Sequence, residues 1–316
     1  MSAAVADDRA AARDVRLAIE AMATRFELVL PLDAPGGEAR LRAVGEEALA
    51  EIVRLESRLS AFRPASDISW INAYASDRAV RVEPTLFALV QRCLALSAAT
   101  AGAFDITVGP LMRAWRSGGD IAAARACVGY RHVHLDARRS TIRLGRRGMS
   151  LDLGAAGKGY AIDEAIAVLA AHGCTSALLH GGTSSVHAIG GAPEGAGWTI
   201  AWAPPGGTEC AFRLNGSALS VSAAHGRAFQ RDGRSYGHVI DPSSGWPGEA
   251  ANAAVVTGPR SLECDALSTA LLVLGPAWLP ALRARFPGYD GLAQAPAAGP
   301  IATAAADCPR AGASGG

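Results

Sequence analysis

The stretch Ser150-Leu151-Asp152-Leu153-Gly154-Ala155-Ala156-Gly157-Lys158-Gly159-Tyr160-Ala161-Ile162-Asp163 sets a carboxylate and an ammonium around a run of small residues. The chemistry this suits is anion binding. Backbone N–H groups at a helix start point outward, and small side chains let a ligand approach them. Neither common phosphate motif is present. A Walker A loop needs glycine where Asp152 stands, and Ser or Thr where Gly159 stands. A dinucleotide fingerprint begun at Gly157 needs Gly or Ala where Ile162 stands. By spacing alone, a tight strand–helix turn with a solvated lysine is the better reading.

Asp265 and Thr269 lie one helical turn apart and share a face. A carboxylate and a hydroxyl so placed form part of a Mg²⁺ shell, which waters and substrate phosphate oxygens complete. Alone, the pair reads better as structural. An early Asp favours the helix dipole, and a mid-helix Thr bonds back to the preceding turn. His238 and Asp241 flank a strand end, where a histidine can act as general base or bind phosphate. The chain has 7 histidines, so one such position carries little weight; His172 and His225 are read without a chemical role. Ala103-Phe104-Asp105 reads as an aromatic anchor with a capping Asp. Gly181-Gly182 fits either a tight turn or a close ligand approach.

These residues need elements to hold them. The periodicity predicts one strand within Arg16–Pro31, with Phe26, Leu28 and Leu30 on one face and Met22-Ala23-Thr24 in its first half. Leu41, Val44, Ala48, Ile52, Leu55 and Leu59 mark a long amphipathic helix, closed before Pro64. Pro84 opens another helix. Ser140–Leu144 and Met149–Leu153 read as strands ahead of a helix carrying Ile162, Ile166 and Leu169. Ala177–His180, Val186–Ile189, Trp198–Trp202, Phe212–Leu214, Leu219–Val221 and Ala253–Thr257 read as strands between Gly/Pro-rich turns. Leu262–Leu274 and Trp278–Phe286 read as helices. Strands and helices intermix without strict βα alternation. The expected class is therefore α+β, with mixed or antiparallel sheets and packed helices.

At 316 residues, 50% of them hydrophobic, the chain can bury a substantial core. Expected are a flexible N-terminal arm over 1–14, one body over 15–290 and a disordered Ala/Gly/Pro-rich tail over 291–316. Thirty basic residues against 29 acidic ones give +1, which argues against nucleic acid as a partner. The 6 cysteines include no CxxC pair, which argues against a zinc site or disulfide framework. No apolar run reaches a membrane span. The first residues lack a secretory pattern, so a cytoplasmic location is expected.

Several of these pieces stand in a telling order. They are Met22-Ala23-Thr24, Leu59-Ser60-Ala61-Phe62-Arg63-Pro64 with Asp67-Ile68-Ser69, and Gly102-Ala103-Phe104-Asp105-Ile106-Thr107-Val108-Gly109-Pro110. The Asp152–Asp163 stretch, Gly181-Gly182, His238-Val239-Ile240-Asp241-Pro242 and Asp265-Ala266-Leu267-Ser268-Thr269-Ala270 follow. Together they resemble the ApbE-type FAD:protein FMN transferases, from about Met22 to Gly275.

The resemblance implies an enzyme that uses Mg²⁺ to move the FMN half of FAD onto a Ser or Thr hydroxyl of a target protein, releasing AMP. It places the flavin site between the two halves of the body. It implies FAD contacts at Met22, Phe62, Ala103, Phe104, Asp105, Asp152, Lys158 and the Ile240 backbone. It also implies Mg²⁺ at Asp265, Thr269 and the Ala155 carbonyl, with His238 and Asp265 in catalytic roles. Ala23 stands where the family more often has Gly, Phe62 where it often has Tyr, and Thr183 where it usually has Asp or Asn. The alternatives to transfer are an FAD pyrophosphatase giving FMN and AMP, and an FAD-binding carrier without chemistry.

Overall fold

Two runs of alternating apolar residues open the described chain and pair as a hairpin, β1 (Asp14–Ala21) and β2 (Thr24–Pro31). In the computed structural model, residues 14–32, 37–191, 197–204, 206–224, 228–231 and 233–296 are described. The expected single strand is thus two, and Met22-Ala23 is the turn between them. Both turn residues have positive φ, 51° and 57°, as a two-residue hairpin loop requires. Neither is the Gly, Asn or Asp that signals such a turn in a sequence. The Met22 N–H donates to Glu56 Oε1 at 2.9 Å, which anchors the turn to the first helix.

A left-handed backbone at a residue with a Cβ is strained by about 1–2 kcal/mol, and the Ala23 methyl is exposed. Ala23→Gly should relieve that strain, less about 0.5–1 kcal/mol of extra unfolded-state freedom. The expected result is a Tm raised by about 1–3 °C. A lower Tm would show that the methyl contributes more than its backbone strain costs.

The chain continues through α1 (Gly37–Leu59), α2 (Asp67–Tyr74), β3 (Val80–Arg81), α3 (Pro84–Ala99), α4 (Gly109–Ser117) and α5 (Ile121–Arg125). A short 3₁₀ turn leads to β4 (Val133–Asp136) and β5 (Thr141–Leu144), then α6 (Gly157–Ala171), β6 (Ala177–Gly181) and β7 (Ser185–Ile189). Next come β8 (Trp198–Trp202), β9 (Cys210–Leu214), β10 (Ser217–Ala223), β11 (Ala228–Arg231), β12 (Arg234–Gly237) and β13 (Ala253–Gly258). The last elements are α7 (Ser261–Leu274), α8 (Leu279–Arg285) and β14 (Asp290–Gln294).

The main sheet has the order β1-β2-β6-β7-β10-β13-β14. Every ladder among the described residues is antiparallel, so the protein is α+β. One face of the sheet is covered by α1, α6 and α7, over Phe26, Leu28, Leu30, Leu179 and Ala254. The other face meets the β8–β9 hairpin through Trp198, Ile200, Trp202, Leu219 and Val221. Among the described residues no helix is long and apolar enough to cross a membrane.

Two further expectations are corrected. Met149–Leu153 is extended but forms no ladder, only an isolated parallel bridge from Ser150 to Val108. Its backbone is held by one backbone bond, from the Asp152 N–H to the Ile106 carbonyl at 2.8 Å, and by a side chain. Asn72 donates to the Leu151 carbonyl and accepts from the Leu151 N–H, at 2.9 and 2.6 Å. The body also does not stop at 290. Residues 291–294 belong to β14, which closes the sheet against β13 and buries Gly291. The Ala/Gly composition hid that strand because its ladder bonds come from the backbone. The rest of the expected tail, from 297 on, and residues 1–13 of the expected arm lie outside the described residues.

Candidate functional site

A cleft of about 1100 Å³ opens between the two halves of the chain. One wall comes from the β1–β2 turn, the end of α1, α4 and the loops before α6; the other comes from β10, β11, the segment after β12 and α7. The volume is at the upper end of small-molecule sites, the size class of a dinucleotide. Met22, Phe62, Ala103, Phe104, Asp105, Asp152, Ala155, Lys158, His238, Ile240, Asp265 and Thr269 all line it.

The floor is built where α6 meets α7. Asp265 sits in the second turn of α7, 5% exposed. Its Oδ1 accepts from the Ser185 and Ser220 hydroxyls at 2.7 and 2.5 Å, and its Oδ2 accepts from the Gly159 N–H at 2.7 Å. The Gly159 N–H belongs to the first turn of α6, where backbone donors have no helical partner. A Cβ on Gly159 would lie 2.2 Å from the Ser261 carbonyl oxygen, so glycine is what lets the helices approach. In return Asp163, one turn further along α6, accepts from the N–H groups of Ser261 and Leu262 at 2.8 and 3.0 Å. Each helix therefore supplies the carboxylate for the other's N-terminal turn.

Thr269 Oγ1 donates to the Asp265 carbonyl at 3.0 Å, one turn back. That bond uses the hydroxyl proton and leaves the oxygen lone pairs for another partner. Ser222 Oγ lies 3.4 Å from Thr269 Oγ1 and 2.9 Å from Ser268 Oγ. No backbone N–H of the described residues donates to the Ala155 carbonyl. Carboxylate, hydroxyl and carbonyl are all hard oxygen donors, the set Mg²⁺ takes. Among the described residues no group of three or more His, Cys, Asp or Glu side chains stands together, as a softer metal would require. The residues present thus fit a Mg²⁺ ion that shares its shell with a substrate.

Lys158 projects from the first turn of α6 and is half-buried in the cleft. It is the only lysine in the chain; the rest of the 30 Lys and Arg residues are arginine. Asp152 accepts from the Gly154 N–H at 2.8 Å and shapes the turn ahead of Lys158. Phe62 is 68% exposed at the rim, with the Arg116 guanidinium 4.7 Å from its ring centre. One ring face is stacked on a cation and a planar ligand can use the other.

Asp105 is buried and its carboxylate closes a loop. Oδ1 accepts from the Thr107 N–H and hydroxyl at 2.8 and 2.7 Å, and Oδ2 from the Tyr130 N–H at 2.9 Å. Burial pushes its pKa above the ordinary carboxylate value, against the pull of those hydrogen bonds.

His238 follows β12 directly and reaches the cleft. Asp241 does not join it. Its carboxylate accepts from the Ser243 N–H and hydroxyl and forms a turn. Gly182 resolves as a turn residue at φ 62°, and the space a Cβ would fill is taken by the Thr24 hydroxyl. His172 pairs with Glu47 at 3.1 Å on the surface. His225 lies outside the described residues.

Sequence reasoning missed Ser185, Ser220, Ser222, His187, Asp163 and Arg116. A signal existed in β10, where Ala218, Ser220 and Ser222 alternate with Leu219 and Val221. Such alternation reads as a solvated face, yet both faces are covered, and the serines meet the polar side of α7.

The fold and this cleft define an α+β protein built around one dinucleotide-sized site with an oxygen-donor floor. The chain belongs to the ApbE family, whose model matches residues 22–292. A protein of Treponema pallidum named FAD:protein FMN transferase is 34% identical over 281 residues, 80% of this chain and 77% of that one. One of the same name from Escherichia coli K12 is 29% identical over 77% of this chain and 74% of that one. Among solved structures, the apo form of the flavinyl transferase ApbE of Pseudomonas stutzeri superposes with a TM-score of 0.76 at 29% identity, covering 89% of this chain and 95% of that one. An ApbE protein of Thermotoga maritima gives 0.79 at 25% identity, covering 89% and 94%.

Proposed function

We propose that this protein transfers the FMN moiety of FAD to a Ser or Thr hydroxyl of a target protein, with Mg²⁺ required and AMP released. The observation that carries the reading is the floor of the cleft. Asp265, Thr269 and the Ala155 carbonyl offer only hard oxygen donors beside Lys158, in a cleft sized for a dinucleotide. Asp265, Thr269 and Ala155 would hold the ion, which supplies neutralisation of the pyrophosphate charge.

The acceptor oxygen attacks the phosphorus of the FMN half, the P–O bond to the bridging oxygen breaks, and AMP departs with that oxygen. Lys158 offers a compact charge to the phosphates. The proton leaving the acceptor hydroxyl needs a base, a role that His238, which lines the cleft, or a carboxylate at the floor can fill. Phe62 and Met22 cover the planar ring. Ala103, Phe104 and the Ile240 backbone line its surroundings, while Asp105 and Asp152 hold the loops that carry those contacts.

Two measurements test this. Calorimetry should show FAD binding more tightly than FMN or riboflavin, because the adenylate and pyrophosphate supply contacts that the smaller flavins lack; equal affinity for FMN would count against the reading. Incubation with FAD, Mg²⁺ and a lysate of the source cells should give a protein band with covalent flavin fluorescence, and AMP. Free FMN and AMP without such a band would indicate a pyrophosphatase, and unchanged FAD a carrier.

A further inference from the structure

We propose that Asp163 is a positioning residue for the cation site, fixing α7 so that Asp265 and Thr269 stand opposite the Ala155 carbonyl; this rests on the Mg²⁺ reading above. The proposed ligands come from two separate pieces of chain. Ala155 lies two residues ahead of α6, so its carbonyl moves with the first turn of that helix. Asp265 and Thr269 move with α7. A shared ion needs the two helices held at one spacing before it arrives.

Two carboxylates hold that spacing. Arg260, at the N-cap position of α7, makes no side-chain cap. The orphan N–H groups of Ser261 and Leu262 are instead satisfied by Asp163 across the helix pair, one to each carboxylate oxygen. Four residues away on each helix, the Gly159 N–H meets Asp265 Oδ2. The two contacts sit one turn apart, which resists both sliding and rotation of α7 against α6. His187 of β7 completes the arrangement. Its Nδ1 is 2.9 Å from Ser261 Oγ and 3.5 Å from Asp163 Oδ1, with the side chain 8% exposed. Asp163 thus carries side-chain order from the sheet into the helix that bears the proposed ligands. Groups that orient ligands without touching the metal alter metal affinity by about 10–100-fold when changed.

The test is a Mg²⁺ titration of Asp163→Asn with FAD at saturation, followed two ways: the Mg²⁺ needed for half of the thermal shift, and the Mg²⁺ needed for half-maximal AMP release. Asparagine offers one acceptor oxygen for two donors and points an NH₂ at the other. Both midpoints should rise about tenfold. Turnover at saturating Mg²⁺ should stay within about threefold of wild type, as should FAD affinity without metal. A variant that melts earlier but keeps wild-type Mg²⁺ midpoints overturns the proposal, since a merely structural cap behaves that way. Should Asp163→Asn fail to fold, His187→Gln removes the ring while leaving both backbone caps. It should raise both midpoints in the same direction by a smaller factor, and unchanged midpoints in folded protein would overturn the proposal. A wild type whose melting and turnover both ignore Mg²⁺ would sink the metal reading and this one together, whereas a metal-responsive wild type beside unresponsive midpoints in the variant sinks only this one.

Discussion

Asp265→Asn should lower FAD turnover at least about a hundredfold, the scale on which loss of one charge-stabilising group is felt, and should cost about 1–3 kcal/mol of stability, because its NH₂ replaces the oxygen that accepts from the Gly159 N–H. The amide keeps the carboxylate's shape and one acceptor oxygen for the Ser185 and Ser220 hydroxyls, but removes the charge that a cation requires. Asp265→Ala is the blunter change. From sequence alone its stability effect is that of a first-turn helix charge, about 0.3–1 kcal/mol. The structure raises that figure, because alanine leaves the buried Gly159 N–H without an acceptor, a loss of about 1–3 kcal/mol. Thr269→Val keeps the shape of α7 and should raise the Mg²⁺ requirement. A metal titration of turnover beside thermal melts reads all three variants. Wild-type turnover by Asp265→Asn at limiting Mg²⁺ would show that the floor of the cleft is not the metal site.

Gly159→Ala should be the most damaging single-methyl change in this region. The added carbon would lie 2.2 Å from the Ser261 carbonyl oxygen and 2.8 Å from the Leu262 nitrogen, both backbone atoms that no rotamer change can move aside. The helices must separate to admit it. Overpacking of this kind costs about 1–3 kcal/mol and more where backbone must shift. A Tm loss of about 6–12 °C follows from roughly 3 kcal/mol in a chain of this size. Separation would also lengthen the Gly159–Asp265 and Asp163–Ser261 contacts, so residual folded protein should need more Mg²⁺. A purified Gly159→Ala protein with unchanged Tm would mean that α6 and α7 are not packed as described.

Most of the main sheet and all the long helices were legible because their periodicity is strong: α1 buries the residues that its apolar stripe named. The family resemblance supplied the positions along the cleft, which spacing alone assigned only weakly. What stayed hidden has physical causes. The β1–β2 turn has Met and Ala at positive φ, so no turn residue announces it. The Met149–Leu153 segment looks like a strand, but an asparagine side chain takes the place of a neighbouring strand. The serines of β7 and β10 went unassigned because polar alternation does not reveal that a polar helix face lies opposite. Asp163 was read only as part of a motif, since capping a helix nearly a hundred residues further on leaves no local trace.

Lys158 carries the only side-chain amine in the chain, and it stands in the cleft. Amine-selective reagents therefore meet two targets, this side chain and the α-amino group, because guanidinium groups stay protonated and unreactive. Periodate opens the ribose of an adenine nucleotide to a dialdehyde, which condenses with an amine to an imine that borohydride fixes. Intact mass then counts adducts directly, and nucleotide present during labelling shields one of the two amines. A chain with a single lysine leaves the site with a built-in covalent handle, so a spectroscopic reporter can be installed there without engineering the chain.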